Sequence, residues 1–176
     1  FNHRVSKWAP GASEGIIVAG GNGSGSSYNQ LNMPTGVFVD NDDNVYVSEE
    51  GNSRVMKWAP DADEGILVAG GNNRGDALNQ LSYPHKINVH SSGDIYIADA
   101  GNGRIVKWSP GASEGVVVAG GNGNGNNLNQ LHEPRGIFVT EDRKIFISEY
   151  YSNRVTLWKE GDKNGTIISK GRTDSP

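Results

Sequence analysis

The chain has 176 residues, a formal net charge of −4 and 35% hydrophobic residues. Its 25 glycines bring the apolar fraction into the ordinary globular range of about 45–50%, which excludes a disordered tail. No run of about 18 apolar residues is present, which excludes a membrane-spanning helix. The chain has no cysteine, so disulfides, thiolate metal sites and cysteine nucleophiles are excluded as well.

A pattern of 50 residues recurs along the whole chain. The segment Asn2-His3-Arg4-Val5 returns as Asn52-Ser53-Arg54-Val55, then in altered form at 102–105 and 152–155. The chain holds about 3.5 copies without insertions, and each copy contains one of the four tryptophans: Trp8, Trp58, Trp108 and Trp158. A repeat of this length is one supersecondary unit that needs its neighbours to bury a core.

Each copy predicts four short strands and almost no helix. The first strand alternates, the second is rich in β-branched residues, and a long polar glycine loop separates them from the third and fourth. In chain order the predicted strands of the first 48 residues are 4–8, 15–19, 36–39 and 45–48. Four strands in each repeat of this length predict an all-β fold, a β-propeller of four-stranded antiparallel blades.

Three segments of the first full repeat carry a family resemblance. Pro34-Thr35-Gly36-Val37-Phe38-Val39-Asp40, then Asn44-Val45-Tyr46-Val47, then Gly51-Asn52-Ser53-Arg54-Val55 resemble the NHL repeat. The second full repeat departs from the pattern with Lys86 for the glycine and His90 for the aspartate. The resemblance covers essentially the whole chain. It implies blades whose strands run a, b, c, d outward from a central channel, in rings that typically have six blades.

The resemblance divides residues 1–176 into a partial ring of one half blade and three full blades. The half blade is 1–21, and the full blades are about 35–71, 85–121 and 135–171. A ring of six such repeats would need about 300 residues, so this chain cannot close one alone. We expect a piece of a longer propeller, and the alternative is a ring completed by two chains, with self-association through open blade edges.

Two residue types recur once per blade and predict structural roles. The tryptophans end strand c and are expected to pack between blades. The arginines Arg4, Arg54, Arg104 and Arg154 are expected to pair with the acidic residue that ends strand b, because a guanidinium offers a fixed fork of donors. Those acidic residues are Glu49, Asp99 and Glu149.

Function in a repeat protein is expected where the copies differ. The d–a and b–c loops share one face, which gathers the variable residues after the blade proline and the ends of strand b around the channel mouth. The candidate binding residues are Thr35, His85, Arg135, Glu49, Asp99, Glu149 and Tyr150. Their mixed charges suit a protein, a peptide or a small polar ligand, and the first hypothesis is a non-catalytic binding or scaffold module.

Two alternatives remain open. The lyase domain of peptide-amidating enzymes is a related propeller, and this resemblance implies a metal-binding role for His85, which follows Pro84, and a catalytic role for Tyr150. RNA binding, known among NHL proteins, would need a basic face built from residues such as Arg74, Lys86 and Arg135. The net negative charge weighs against a nucleic-acid partner, and no membrane partner is expected.

No metal, cofactor or catalytic residue is assigned. The glycine loops lack the lysine–serine pair and the helix of a phosphate-binding loop. The acidic turn from Asp40 to Asn44 lacks the glycine and terminal glutamate of a calcium-binding EF-hand.

Overall fold

The computed structural model describes residues 2–171, and this part of the chain is built from β-strands with one short 3₁₀ turn at Ala100–Asn102. The strands are β1 (Arg4–Lys7), β2 (Ile16–Gly20), β3 (Pro34–Val39), β4 (Val45–Glu49), β5 (Arg54–Trp58), β6 (Ile66–Gly70), β7 (Pro84–Val89), β8 (Ile95–Asp99), β9 (Arg104–Trp108), β10 (Val116–Gly120), β11 (Pro134–Val139), β12 (Lys144–Glu149), β13 (Arg154–Lys159) and β14 (Thr166–Lys170). The all-β prediction is confirmed.

The strands form four antiparallel sheets in chain order. The first sheet has two strands, β1–β2, and the others have four each: β3–β6, β7–β10 and β11–β14. Within each full sheet the strands lie side by side in sequence order, and β7, the first strand of the middle full sheet, contacts both β3 and β11. The structure is therefore a half blade followed by three full blades in an open ring, as the sequence predicts.

The core lies between successive sheets. Trp58 packs with Ala19 and Leu31 of the first sheet and its loop, and Trp108 packs with Ala69 and Leu81 of the next. Trp158 repeats this contact with Ala119 and Leu131. Because each tryptophan fills the space against the preceding sheet, burying it holds two neighbouring blades together.

Trp8 corrects the expectation that all four tryptophans are core residues. It is 62% exposed, whereas Trp58, Trp108 and Trp158 are 2% exposed or less. The difference arises because Trp8 belongs to the first sheet, and within residues 2–171 no other sheet covers its face.

The arginines of the three full blades fasten the long loops between blades. Arg104 Nε donates to Asp99 at 2.7 Å, while its terminal nitrogens donate to the carbonyl oxygens of Asp76, Ala77 and Gln80. Arg54 and Arg154 make the same set of bonds. Each buried guanidinium therefore joins a strand of its own blade to the loop that arrives from the preceding blade.

Arg4 corrects the corresponding expectation at the start of the chain. It is exposed, and its strand β1 pairs only with β2. The acidic residue that would face it ends a strand b, which the first sheet does not have.

The glycine-rich loops are ordered by one repeated set of amide bonds. Asn22 Nδ2 donates to the carbonyl of Asn29 at 3.0 Å, and Gln30 Nε2 donates back to the carbonyl of Asn22 at 2.9 Å. The second and third loops repeat both bonds. The loops are therefore a rigid part of the framework on which variable side chains are displayed.

Within residues 2–171, no helix has the length and apolar character needed to cross a membrane.

Candidate functional site: a cleft on the loop face

One face of the ring is formed by two kinds of connection, and we call it the loop face. It comprises the d–a loops (21–33, 71–83 and 121–133) and the b–c loops (50–53, 100–103 and 150–153). The two kinds contact each other directly, since the backbone N–H groups of Glu50 and Tyr150 donate to the carbonyls of Met33 and Glu133. These bonds hold the residues before Pro34 and Pro134, and in the second repeat the N–H group of Gly101 donates to the carbonyl of Ser82.

The residue before the proline has the same unusual backbone in all three repeats. Met33, Tyr83 and Glu133 have φ values of 52°, 48° and 53°, in the left-handed region that non-glycine residues seldom occupy. Because three different side chains share this conformation, the loop imposes it, and the sequence is free to vary at this position.

Three of the predicted binding residues do not reach the surface. Glu49, Asp99 and Glu149 are 3% exposed or less, and each is bonded to the arginine of its own blade. Glu49 and Asp99 also accept bonds from the backbone N–H groups of Asn32 and Ser82. Their assignment to the channel mouth is corrected, because the end of strand b turns these carboxylates inward, where the arginine and the loop use them.

Thr35 is placed differently from its counterparts His85 and Arg135. Its hydroxyl donates to the carbonyl of Pro84 at 2.6 Å, which ties β3 to β7. His85 and Arg135 instead line a cleft of about 500 Å³ on the loop face. The cleft residues are Glu50, Tyr83, His85, Ala100, Gly101, Asn124, His132, Glu133, Arg135 and Tyr151.

Arg135 organises one wall of the cleft. Its guanidinium donates to Glu133 Oε1 at 2.5 and 2.9 Å and lies 3.7 Å from the centroid of the Tyr150 ring. Tyr150 meets Tyr151 edge to face, with ring centroids 5.0 Å apart, and Tyr151 in turn contacts His132 at 5.0 Å. These contacts hold Arg135 and three aromatic rings as one preorganised surface.

The surroundings of His85 disfavour the protonated, charged form of its imidazole. Partial burial lowers the pKa of its imidazole below the ordinary value, and the nearby Arg135 charge lowers it further, while Glu50 and Glu133 act in the opposite direction. The neutral ring therefore predominates at pH 7 and offers one hydrogen-bond donor and one acceptor to a ligand.

Sequence reasoning missed several cleft residues, among them Tyr83, Asn124, His132 and Glu133. Each occupies a repeat position at which the three copies differ; the position of Tyr83, for example, holds Met33 in the first copy and Glu133 in the third. These residues would have been found by comparing the three copies at every loop position, and not only beside the proline and at the end of strand b.

The residues that suggested a lyase lie close to this cleft. His85 lines it, and Tyr150 stacks on Arg135 at its edge. Among residues 2–171, no group of three or more histidine, aspartate or glutamate side chains is arranged to hold a metal ion.

Known proteins match the chain in part of its sequence and in its fold. The family model described as the NHL repeat matches residues 31–58 and 81–108. No curated protein matches the chain significantly.

Three solved structures share the fold at low sequence identity. The nidogen/laminin complex has a TM-score of 0.64 at 16% identity, covering 89% of this chain and 52% of that one. A protein of unknown function from Bacteroides thetaiotaomicron has a TM-score of 0.62 at 14% identity, covering 88% of this chain and 39% of that one. Virginiamycin B lyase from Staphylococcus aureus has a TM-score of 0.54 at 18% identity, covering 81% of this chain and 44% of that one.

This chain thus spans between 39% and 52% of the lengths of those three structures. Identities this low establish the shared fold, and they carry no function from one protein to another. The successive four-stranded blades and the structural likeness show that the chain has a β-propeller fold, and two stretches of it match the NHL repeat.

Proposed function

We propose that the chain is a non-catalytic binding module whose loop face takes a protein or peptide partner. One observation carries the proposal: the copies share their framework residues, yet several of the residues in which they differ meet in one cleft. A framework alone would not require Tyr83, His85, His132 and Arg135 at positions where other copies have different side chains.

The composition of the cleft suits a peptide. Aromatic rings and arginine, which dominate the energetics of protein interfaces, lie beside polar groups that can bond to a peptide backbone. One structural relative, nidogen, was solved in complex with laminin, which supports a protein partner for a propeller of this kind.

The other hypotheses are less well supported by the cleft. A lyase of the peptide-amidating kind would need metal ligands beyond His85. For RNA, the candidate cations are partly engaged, because Arg135 pairs with Glu133 and Lys86 donates to the carbonyl of Val37. A small polar ligand would fit the same cleft, and peptide selection distinguishes the two, because a site for a small ligand alone would enrich no peptide.

The test uses a phage-displayed library of random linear 12-residue peptides as the probe. We expect enriched peptides to bind the wild-type chain and to lose about tenfold in affinity to Arg135→Ala or Tyr151→Ala, a typical cost for one interface anchor. The matched control is Lys163→Ala, on an exposed c–d turn that does not line this cleft. Failure to enrich any peptide, or peptides indifferent to both cleft variants, would refute the proposal.

A further inference from the structure

The loop face has a second cleft that joins the first. This second cleft, of about 660 Å³, is lined by loop residues that include Tyr28, Met33, Arg74 and Tyr83. Both clefts share Glu50 and Tyr83. The two clefts adjoin each other at these shared residues, and we call the combined surface, which is lined by residues of all three d–a loops, the loop groove.

An elongated groove favours an extended occupant. The first d–a loop contributes Tyr28 and Met33, the second contributes Arg74 and Tyr83, and the third contributes His132. Tyr28, Met33, Tyr83 and Tyr151 are 36–60% exposed, so apolar surface is available along the whole path. A chain molecule can contact all three loops at once, whereas a compact ligand fills only one cleft.

Two charges in the loop groove are uncompensated. The Arg74 guanidinium lies 4.3 Å from the centroid of the Tyr83 ring, and within residues 2–171 it has no carboxylate partner. The half-buried Glu50 carboxylate likewise has no hydrogen bond or ion pair in the described part of the chain. In contrast, Arg135 is already neutralised by Glu133.

The framework does not need either charge. The residues that correspond to Arg74 are Ser24 and Asn124, and those that correspond to Glu50 are Ala100 and Tyr150. Among the three loops, only this junction combines a cation on an exposed tyrosine ring with an anion that lines the same cleft, and neither forms an ion pair within residues 2–171. Their natural complement is a partner segment that carries one charge of each sign.

Building on the proposed function, we infer that the partner is an extended peptide with an acidic and a basic side chain. The acidic side chain pairs with Arg74 and the basic one with Glu50, while a side chain between them packs on Tyr83. Tyr83 thus serves as the central contact, and the two charges set the direction in which the peptide lies.

The experiment repeats the peptide selection with the wild-type chain and with the charge-exchanged variant Arg74→Glu/Glu50→Lys. We expect wild-type peptides to contain an acidic and a basic residue in a preferred order, and the exchanged variant to select the opposite order. Each single variant should weaken wild-type peptides by about tenfold. The matched controls are Lys163→Glu and Glu114→Lys, two exposed c–d turn residues, and they should have no effect.

The outcomes separate this inference from the proposed function. Peptides that respond to Arg135→Ala but show no charge preference, or that tolerate Arg74→Glu, would overturn the inference and leave the binding function standing. If no peptide is selected, both fail. Binding of a single-stranded RNA oligonucleotide that Arg74→Glu abolishes, in place of peptide binding, would also overturn the inference.

Discussion

At the scale of single residues, the arginine of each full blade performs more than the pairing that the sequence predicts. Burial raises the pKa of the Asp99 carboxyl, and the bonds from Ser82, Asn102 and Arg104 oppose that shift by stabilising the ionised form. Removing the guanidinium would leave this carboxylate buried without its counter-charge and would free three loop carbonyls. The loss of the guanidinium is therefore expected to destabilise both the blade and the loop.

We predict that Arg104→Ala lowers the free energy of unfolding by about 3–5 kcal/mol, the usual cost of breaking a buried ion pair from one side. Arg4→Ala is the matched control, because the same residue type at the same repeat position is exposed. It should change stability by less than about 0.5 kcal/mol. Urea unfolding followed by tryptophan fluorescence measures both, and equal effects of the two substitutions would contradict this role.

At the scale of elements, the end of strand d is constrained by the loop that follows it. Gly120 ends β10 with a φ of +68°, and a Cβ there would lie 2.4 Å from the carbonyl oxygen of Gly103 and 2.9 Å from the Leu131 side chain. Gly111, in the turn between β9 and β10, has a similar φ of +74° but no atom within 4 Å of the corresponding Cβ position. An alanine at Gly111 would therefore add backbone strain alone, whereas an alanine at Gly120 would add both backbone strain and a steric clash.

We predict that Gly111→Ala costs about 1 kcal/mol, the strain of a left-handed alanine. Gly120→Ala should cost about 3 kcal/mol, because overpacking adds to the same strain. Unfolding midpoints in urea, converted with a common slope, provide the comparison. If Gly120→Ala were as stable as Gly111→Ala, the prediction would be wrong, because the loop after strand d would then accommodate the added Cβ without cost.

At the scale of the whole molecule, the open ring leaves two apolar blade faces uncovered. Val55 and Ile105 are fully buried by the next blade, whereas their counterpart Val155 is only half-buried. On the same sheet Phe138 is 59% exposed, and at the other end of the ring Trp8 is 62% exposed. Large apolar side chains left exposed at both ends of the ring favour association.

We predict that a polypeptide of these 176 residues self-associates at micromolar concentrations. Light scattering should give a mass above that of one chain, and Trp8→Lys/Phe138→Lys should lower it towards the monomer. Leu78→Lys, at a 42% exposed loop residue away from both faces, is the control and should leave the mass unchanged. A wild-type monomer would contradict the prediction.

The sequence by itself determined the order of strands, the blades and the arginine–acid pairs. Each of these depends on local patterns that recur every 50 residues, and a recurring pattern folds in the same way wherever its neighbours are present. The prediction that Trp58 packs between blades follows from the same regularity.

Only the tertiary structure decided which residues are free to bind. It turned Glu49, Asp99 and Glu149 inward, exposed Trp8 and Arg4, and brought Tyr83, His85 and Arg135 into one groove. The direction of a side chain at a strand end depends on the loop packed against it, and burial at the edge of an array depends on whether another blade follows. Neither property is encoded within a single repeat, since both arise from contacts between repeats.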